Sequence, residues 1–231
     1  MIQYSVIMFL LLTLTTPPPS LAADKESICY GTTSNGRLEG GVTLPASGKN
    51  FQSYSSLGNL LGRTYIHSRV RQVVINAFKN LEESHPDKVF MYGETGWEEG
   101  GRFKPHKTHQ NGLSVDFMVP VVDRKGRSVY LPTGPINKFG YAIEFDKQGK
   151  FKEYTIDFEA MAAHLVSLHK EALAVGIDIW RVIFAPELQP YLFRTSQGAY
   201  LREHLQFSKK PAWVRHDEHY HVDFKVKCRP L

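Results

Sequence analysis

One carboxylate sets the problem for this chain. Residues 106–121 read HKTHQNGLSVDFMVPV, and Asp116 stands inside that otherwise apolar run. Alternation along a strand places Ser114, Asp116 and Met118 on one face and Val115, Phe117 and Val119 on the other. A buried carboxylate without a partner is costly, so Asp116 must be paired or bound to a cation. The loop before it offers His106 and His109. Near the end of the chain, RHDEHYHVDF offers more. There His219, His221 and Asp223 share one strand face, and Tyr220 and Val222 share the other.

Ten histidines occur. His67, His85, His164, His169 and His204 fall on helical or capping patterns and read as surface or satisfied core residues. The remaining five, His106, His109, His216, His219 and His221, lie in two short stretches about a hundred residues apart. Two same-face imidazoles, a third imidazole and a carboxylate from another strand form a nitrogen and oxygen set suited to zinc. Three protein ligands leave a fourth position for water, the catalytic arrangement, and zinc lowers the pKa of that water to about 7. A further imidazole can then handle protons near neutral pH. The plainer reading is a set of hydrogen-bonded polar residues lining an unrelated cleft.

The chain has 231 residues, enough for one or two domains, with the apolar and charged fractions of a soluble globular protein. Its net charge of +5 favours anionic partners such as a carboxylate-rich polymer. Basic residues are not interleaved with aromatics densely enough for a nucleic-acid module, so nucleic acid is not expected as a partner. Residues 1–23 carry no charge, and the run from Val6 to Thr16 has the length of a signal-peptide core, too short to span a bilayer. Small residues then allow cleavage after Ala22 or Ala23. The expectation is export, with no stable membrane insertion afterwards. Cys29 and Cys228 form an even pair near the two ends of the exported chain and read as a disulfide; two free thiols are the alternative.

Residues 24–63 are rich in Gly, Ser and Asn and read as an irregular wrap. The spacing of Val70, Val73, Val74, Ala77, Phe78 and Leu81 predicts a helix over 64–84, ended by His85-Pro86. KVFMYGE reads as a strand, and GETGWEEGGRFKPHKTHQNG as a long functional loop. A hairpin centred on Lys147–Gly149, a helix over 158–175, a buried strand IDIWRVIFA, a helical stretch over 187–207 broken at TSQG and a terminal strand HYHVDFKVK follow. The fold class is α+β, a mostly antiparallel sheet carrying the metal ligands, flanked by helices and long loops, with residues 24–231 as a single domain.

The stretches GGRFKPHKTHQNGLSVDF and RHDEHYHVDFKVKC resemble the penicillin-insensitive murein endopeptidases. These belong to a clan of zinc enzymes with an H-x6-D and H-x-H signature, which includes D-alanyl-D-alanine peptidases and lysostaphin-type peptidases. The resemblance covers residue 29 to the end and is sharpest in these two stretches. It implies a periplasmic zinc peptidase acting on peptidoglycan cross-links of the D-alanyl to diaminopimelyl type. By position, His109, Asp116 and His221 would hold Zn2+. His219 would be the proton-handling residue, with His216 and His106 placing water or substrate. Glu218 resembles the E-x-x-H base of the D-alanyl-D-alanine peptidases, but in a regular strand it would face away from His221, and a turn ending at residue 219 would reverse that. Gly100 and Gly101 would let the loop backbone approach substrate. Two rivals stand beside this reading. One is a carboxypeptidase or dipeptidase that grips a free carboxylate with Arg102 or Arg181, and the other is a non-catalytic, zinc-stabilised wall-binding module.

Overall fold

The computed structural model describes residues 26–210, 212 and 214–231. The expected signal peptide, 1–23, lies outside the described residues. The centre of the fold is a five-stranded sheet. Its strands run in the order Asp178–Ile183, His219–Lys225, Ser114–Met118, Phe90–Tyr92 and Phe51–Ser53. All neighbours are antiparallel except the last pair, which is parallel. The α+β class, with a mostly antiparallel sheet, is therefore the architecture observed.

Register carries the alternation seen in the sequence. Asp116 pairs with His221, Met118 with His219 and Ser114 with Asp223, while Phe117 pairs with Tyr220 and Val115 with Val222. The second set packs on two long helices, Ser68–Ser84 and Phe158–Ala174. Phe117 meets His164 at 4.7 Å between ring centroids and Phe78 at 6.3 Å. The His164 ring stacks on Phe78 at 5.0 Å and hydrogen-bonds the Tyr220 hydroxyl at 2.5 Å. One sheet face is thus the main core. The other carries Asp116, His219, His221 and Asp223 under long loops.

Helix boundaries follow local chemistry. The first long helix starts at Ser68 rather than Thr64, because the His67 imidazole accepts a hydrogen bond from the Arg69 N–H and Tyr65–Ile66 is a short strand on Val42–Thr43. The second is capped by Asp157, which accepts from Ala160 N at 3.0 Å. It ends as expected before Gly176, whose φ of 71° allows the left-handed turn. The hairpin at 141–157 is displaced. Asp146 Oδ1 accepts from Gln148 N and Lys150 N, which makes 146–150 a turn of its own. The reversal falls after it, between Lys150–Phe151 and Tyr154–Ile156.

Residues 26–63, the described part of the expected irregular wrap, contain regular strands. Ile28–Thr32 and Asn35–Glu39 form a hairpin, and Phe51–Ser53 joins the central sheet beside Phe90–Tyr92. The hairpin turns at Thr33-Ser34, without the Asn-Gly or Asp-Gly signature. A parallel neighbour is chosen by a distant segment, so it leaves no local mark. Among the described residues no helix is long and apolar enough to cross a membrane.

Cys29 and Cys228 are disulfide-bonded, with Cα atoms 4.8 Å apart. Backbone bonds from Gly31 N to Arg229 O and from Arg229 N to Cys29 O flank the bridge. The bridge closes a separation of 199 residues, for which chain entropy gives roughly 5 kcal/mol. Replacing both cysteines by serine is expected to lower the unfolding free energy by about 2–5 kcal/mol, read from guanidinium denaturation.

A second expectation comes from His164. It is fully buried, and burial pushes its imidazole down to about 3 from the usual 6.5. The unfolded chain therefore takes up the proton first. The stability due to neutral His164 is complete above pH 6.5 and is lost progressively down to about 3. Between pH 7 and 5 the loss should be about 2 kcal/mol. Urea titrations at the two pH values should show that His164→Gln, which retains a polar partner for Tyr220, has a smaller pH dependence than the wild type.

Candidate metal centre

Asp116 is fully buried, and its carboxylate is a point of convergence. Oδ1 lies 2.8 Å from His221 Nδ1 and 3.2 Å from His109 Nε2. Oδ2 accepts from the Tyr141 hydroxyl at 3.0 Å and lies 3.8 Å from both His106 Nδ1 and His219 Nε2. Four imidazoles and one phenol therefore surround a single carboxylate.

Each imidazole is oriented by an oxygen on its far side. His109 Nδ1 donates to Thr95 O at 3.1 Å. His221 Nε2 donates to Asp223 Oδ1 at 2.8 Å, His219 Nδ1 to Glu218 Oε1 at 2.8 Å, and His106 Nε2 to Glu94 Oε2 at 2.5 Å. These contacts fix the tautomers, so the inner nitrogens are left to face Asp116. The acceptors are held in turn. Asp223 accepts from the Ser114 hydroxyl at 2.6 Å and from Arg181 Nε at 2.6 Å. Glu94 binds the Arg63 guanidinium and accepts from the Tyr54 hydroxyl at 2.9 Å.

The backbone contributes as well. His109 and His216 have φ of 67° and 57°, left-handed values that non-glycine residues adopt only where the surroundings impose them. The long loop that carries His109 has its own small core. Phe103 is fully buried, 5.5 Å from the His109 ring and 5.6 Å from the His106 ring, and the Arg63 guanidinium sits over it at 4.2 Å. Gly100 is needed for close backbone approach within the loop, because a Cβ there would come within 2.3 Å of Gln110 O and 2.8 Å of Leu38 N, whereas Gly101 has open space.

The electrostatics follow from burial against paired charge. Burial pushes His109 down and His216 down to about 4. It also disfavours charge on His221, but the Asp223 carboxylate outweighs it and holds that imidazole up at about 10. Burial opposes ionisation of Asp116, and the charges of His109 and His219 reverse this and keep it well below the usual carboxylate range. Glu94 follows the same pattern, held down to about 2 by His106 and Arg63 against burial.

A metal ion fits this donor set. His109 Nε2 is buried and has no hydrogen-bond partner, although its lone pair faces Asp116. His106, His109 and Asp116 each present one ligand atom, and the three atoms lie within 4.8 Å of one another. His221 presents Nδ1 to the same carboxylate. The residues singled out in the sequence are therefore gathered at one place, with the His216 ring tilted against the His219 ring at 4.6 Å between centroids. Two features differ from the strand-based expectation. Glu218 precedes the strand, which starts at His219, so alternation does not govern it; its carboxylate turns to His219 and lines the cleft. His106 stands close enough to Asp116 to be a ligand as well as a neighbour of substrate.

Glu94, Arg63, Tyr54 and Tyr141 were not legible as site residues. Each sits singly in a loop or short element, and no spacing marks it. Asp223 shares the face of the histidines, a weak signal that the structure makes specific. Two cavities flank this wall. One, of about 440 Å3, is lined by Tyr54, Arg63, Glu94, Tyr141, Glu218 and His219 among others. The other, of about 500 Å3, is lined by Thr33, Trp180, Arg181, His216 and His221 among others. They share His106 and Val214.

The centre is thus a donor set positioned to bind a metal ion, on a mostly antiparallel sheet and between two cavities. Residues 29–230 match the profile of the penicillin-insensitive murein endopeptidase family. The match spans most of the chain, and the chain belongs to this family of peptidoglycan hydrolases. Comparison with curated proteins yields no match.

The outer carboxylates give a test of which imidazoles bind metal. Loss of a residue that orients a ligand typically costs about 10–100-fold in metal affinity. Asp223→Asn should weaken metal binding by that factor if His221 is a ligand, and Glu94→Gln should do so if His106 is. Competition against a chromophoric chelator measures both.

Proposed function

We propose that this chain is an exported zinc endopeptidase that cleaves peptide cross-links of peptidoglycan, of the D-alanyl to diaminopimelyl type. Residues 24–231 are its single catalytic domain, and residues 1–23 its signal peptide. The observation that carries the reading is the buried, unpartnered His109 Nε2 facing Asp116, with the inner nitrogen of His221 on the same carboxylate. His109, Asp116 and His221 would hold the metal. Two imidazoles and a carboxylate favour zinc among the common divalent ions. When bound there, zinc supplies Lewis-acid polarisation of the scissile carbonyl and a water of pKa about 7.

The chain's own residues do the rest. Glu218 keeps the proton of His219 on Nδ1, which leaves Nε2 basic and turned to the cleft. That nitrogen takes a proton from the attacking water and returns it to the leaving amine. His216 Nδ1 donates to Val214 O, so its Nε2 is the polar atom left to orient water or substrate beside His219. No serine or cysteine nucleophile is needed, so an acylating β-lactam has no target here. The net charge of +5 suits a wall rich in carboxylates.

The two cavities that share His106 support an endopeptidase over a carboxypeptidase, since a cross-link needs room on both sides of the scissile bond. Arg181, a candidate for gripping a free carboxylate, is already bonded to Asp223. A wall-binding module would have no use for His219 with its Glu218 partner.

Purified dimeric muropeptides, analysed by mass spectrometry with metal content measured in parallel, test the reading. The wild type should release monomers. His219→Ala should keep its metal and lose about 10²–10⁴-fold in rate, and Glu218→Gln should lose less. The reverse ranking would make Glu218 the base. Absence of monomers with metal-loaded wild type would remove the endopeptidase.

A further inference from the structure

The wall of the 440 Å3 cavity contains a second unusual stretch of backbone. Lys138 and Phe139 are consecutive, neither is glycine, and their φ values are 51° and 57°. Left-handed conformations of this kind are costly and persist only where neighbours over-determine them. Here Asn137 does so. Its Oδ1 accepts from Gly134 N and Gly140 N, both at 2.9 Å, and its Nδ2 donates to Pro132 O at 2.6 Å. Phe139 N closes the loop on Gly134 O at 2.7 Å, and the Thr133 hydroxyl ties it to Tyr54 O at 2.8 Å.

This locked loop places both unusual residues in the cavity wall that contains His219 and Glu218. Phe139 stands edge-on to Tyr54, 6.3 Å between centroids. Lys138 is exposed, and among the described residues no carboxylate lies within ion-pair distance of its ammonium. The other charges of the wall are taken. Arg63 is bound to Glu94, Glu94 also to His106, and Glu218 to His219. Among the described residues, the one charge of this wall left without a partner is therefore the Lys138 cation, and its complement is an anion.

We propose that Lys138 is a substrate-anchoring residue whose ammonium takes a carboxylate of the bound peptide, while Phe139 and Tyr54 pack on the aliphatic part beside it. The proposal rests on the reading of the site as a cross-link peptidase and adds a specificity element to it. The rigid loop suits this role, because an anchor held in place before binding loses little freedom when substrate arrives. A peptidoglycan peptide offers two sources of the carboxylate, its free terminus and the side chain of a diamino acid.

The experiment compares wild type, Lys138→Gln and Lys138→Arg on three dimeric muropeptides: unmodified, amidated at the terminus, and amidated at the diamino-acid side chain. On the unmodified dimer Lys138→Gln should raise KM about tenfold, the size of one charge-assisted contact at a partly exposed site, with a smaller effect on kcat. Lys138→Arg should restore most of the difference. One of the two amidations should raise the wild-type KM by a similar factor and leave Lys138→Gln unchanged, and it identifies the carboxylate. Equal KM for wild type and Lys138→Gln on the unmodified dimer overturns the anchor, as does amidation that acts equally on both proteins. If wild type does not cleave the dimer, the peptidase reading fails. Calorimetric binding of the same dimer then decides the anchor separately, and equal affinity for wild type and Lys138→Gln overturns it.

Discussion

Everything around the centre depends on one fully buried carboxylate. Asp116 is removed from water in the middle strand of the sheet, so both of its oxygens must be satisfied from within. Tyr141 donates to Oδ2 and the His221 imidazole bonds Oδ1, while His106, His109 and His219 stand around them, and these groups come from three separated parts of the chain. The arrangement is precise because each ring is held from behind by Thr95, Asp223, Glu218 or Glu94. Such a set either gathers around a cation or keeps a proton between its members. The high pKa of His221, about 10 and due to Asp223, expresses the same demand for positive charge. A bound metal would meet that demand and release the proton.

The opposite face of the same strands guards this geometry. Val115, Phe117, Tyr220 and Val222 pack beneath the two long helices. A slip of one residue in pairing would drive His219 and His221 into that core and expose Tyr220 and Val222 to the site. Hydrophobic packing on one side therefore fixes the register of the histidines on the other. The disulfide and the backbone bonds of Arg229 tie down the end of the chain that carries the terminal strand.

Of the five left-handed non-glycine residues among the described residues, four lie around the cleft; the fifth, Lys152, is in the turn between Lys150–Phe151 and Tyr154–Ile156. His109 and His216 belong to the centre, and Lys138 and Phe139 to the cavity wall beside it. Each has a nearby support: the Phe103 core for His109, the Val214 carbonyl for His216 and the Asn137 side chain for the loop. The two sides of the cleft differ in chemistry. Aromatic residues and Lys138 dominate one, and threonines, Trp180 and Arg181 the other. A substrate with distinct groups on either side of the scissile bond matches that asymmetry.

The sequence by itself determined the two strands that meet at the centre. Period-two alternation is a local property, and it placed His219, His221 and Asp223 on one face of their strand and Asp116 opposite Val115 and Phe117 in its own before any contact was known. The long helices were legible for the same reason, as was the pairing of the only two cysteines. Tertiary structure alone decided the rest. Glu94, Arg63, Tyr54 and Tyr141 enter the site singly, from loops whose course is set by packing against distant segments, so no spacing announces them. Residues 51–53 form a strand because Phe90–Tyr92, far along the chain, accepts them as a neighbour, and residues 28–39 form a local hairpin whose Thr33-Ser34 turn carries no signature. Glu218 turns toward His219 because it lies just before the strand, where alternation does not govern its direction. Periodicity can be read wherever the backbone is regular. Where side chains are aimed by irregular backbone, only the folded chain supplies the direction, because the forces that fix it come from residues distant in sequence.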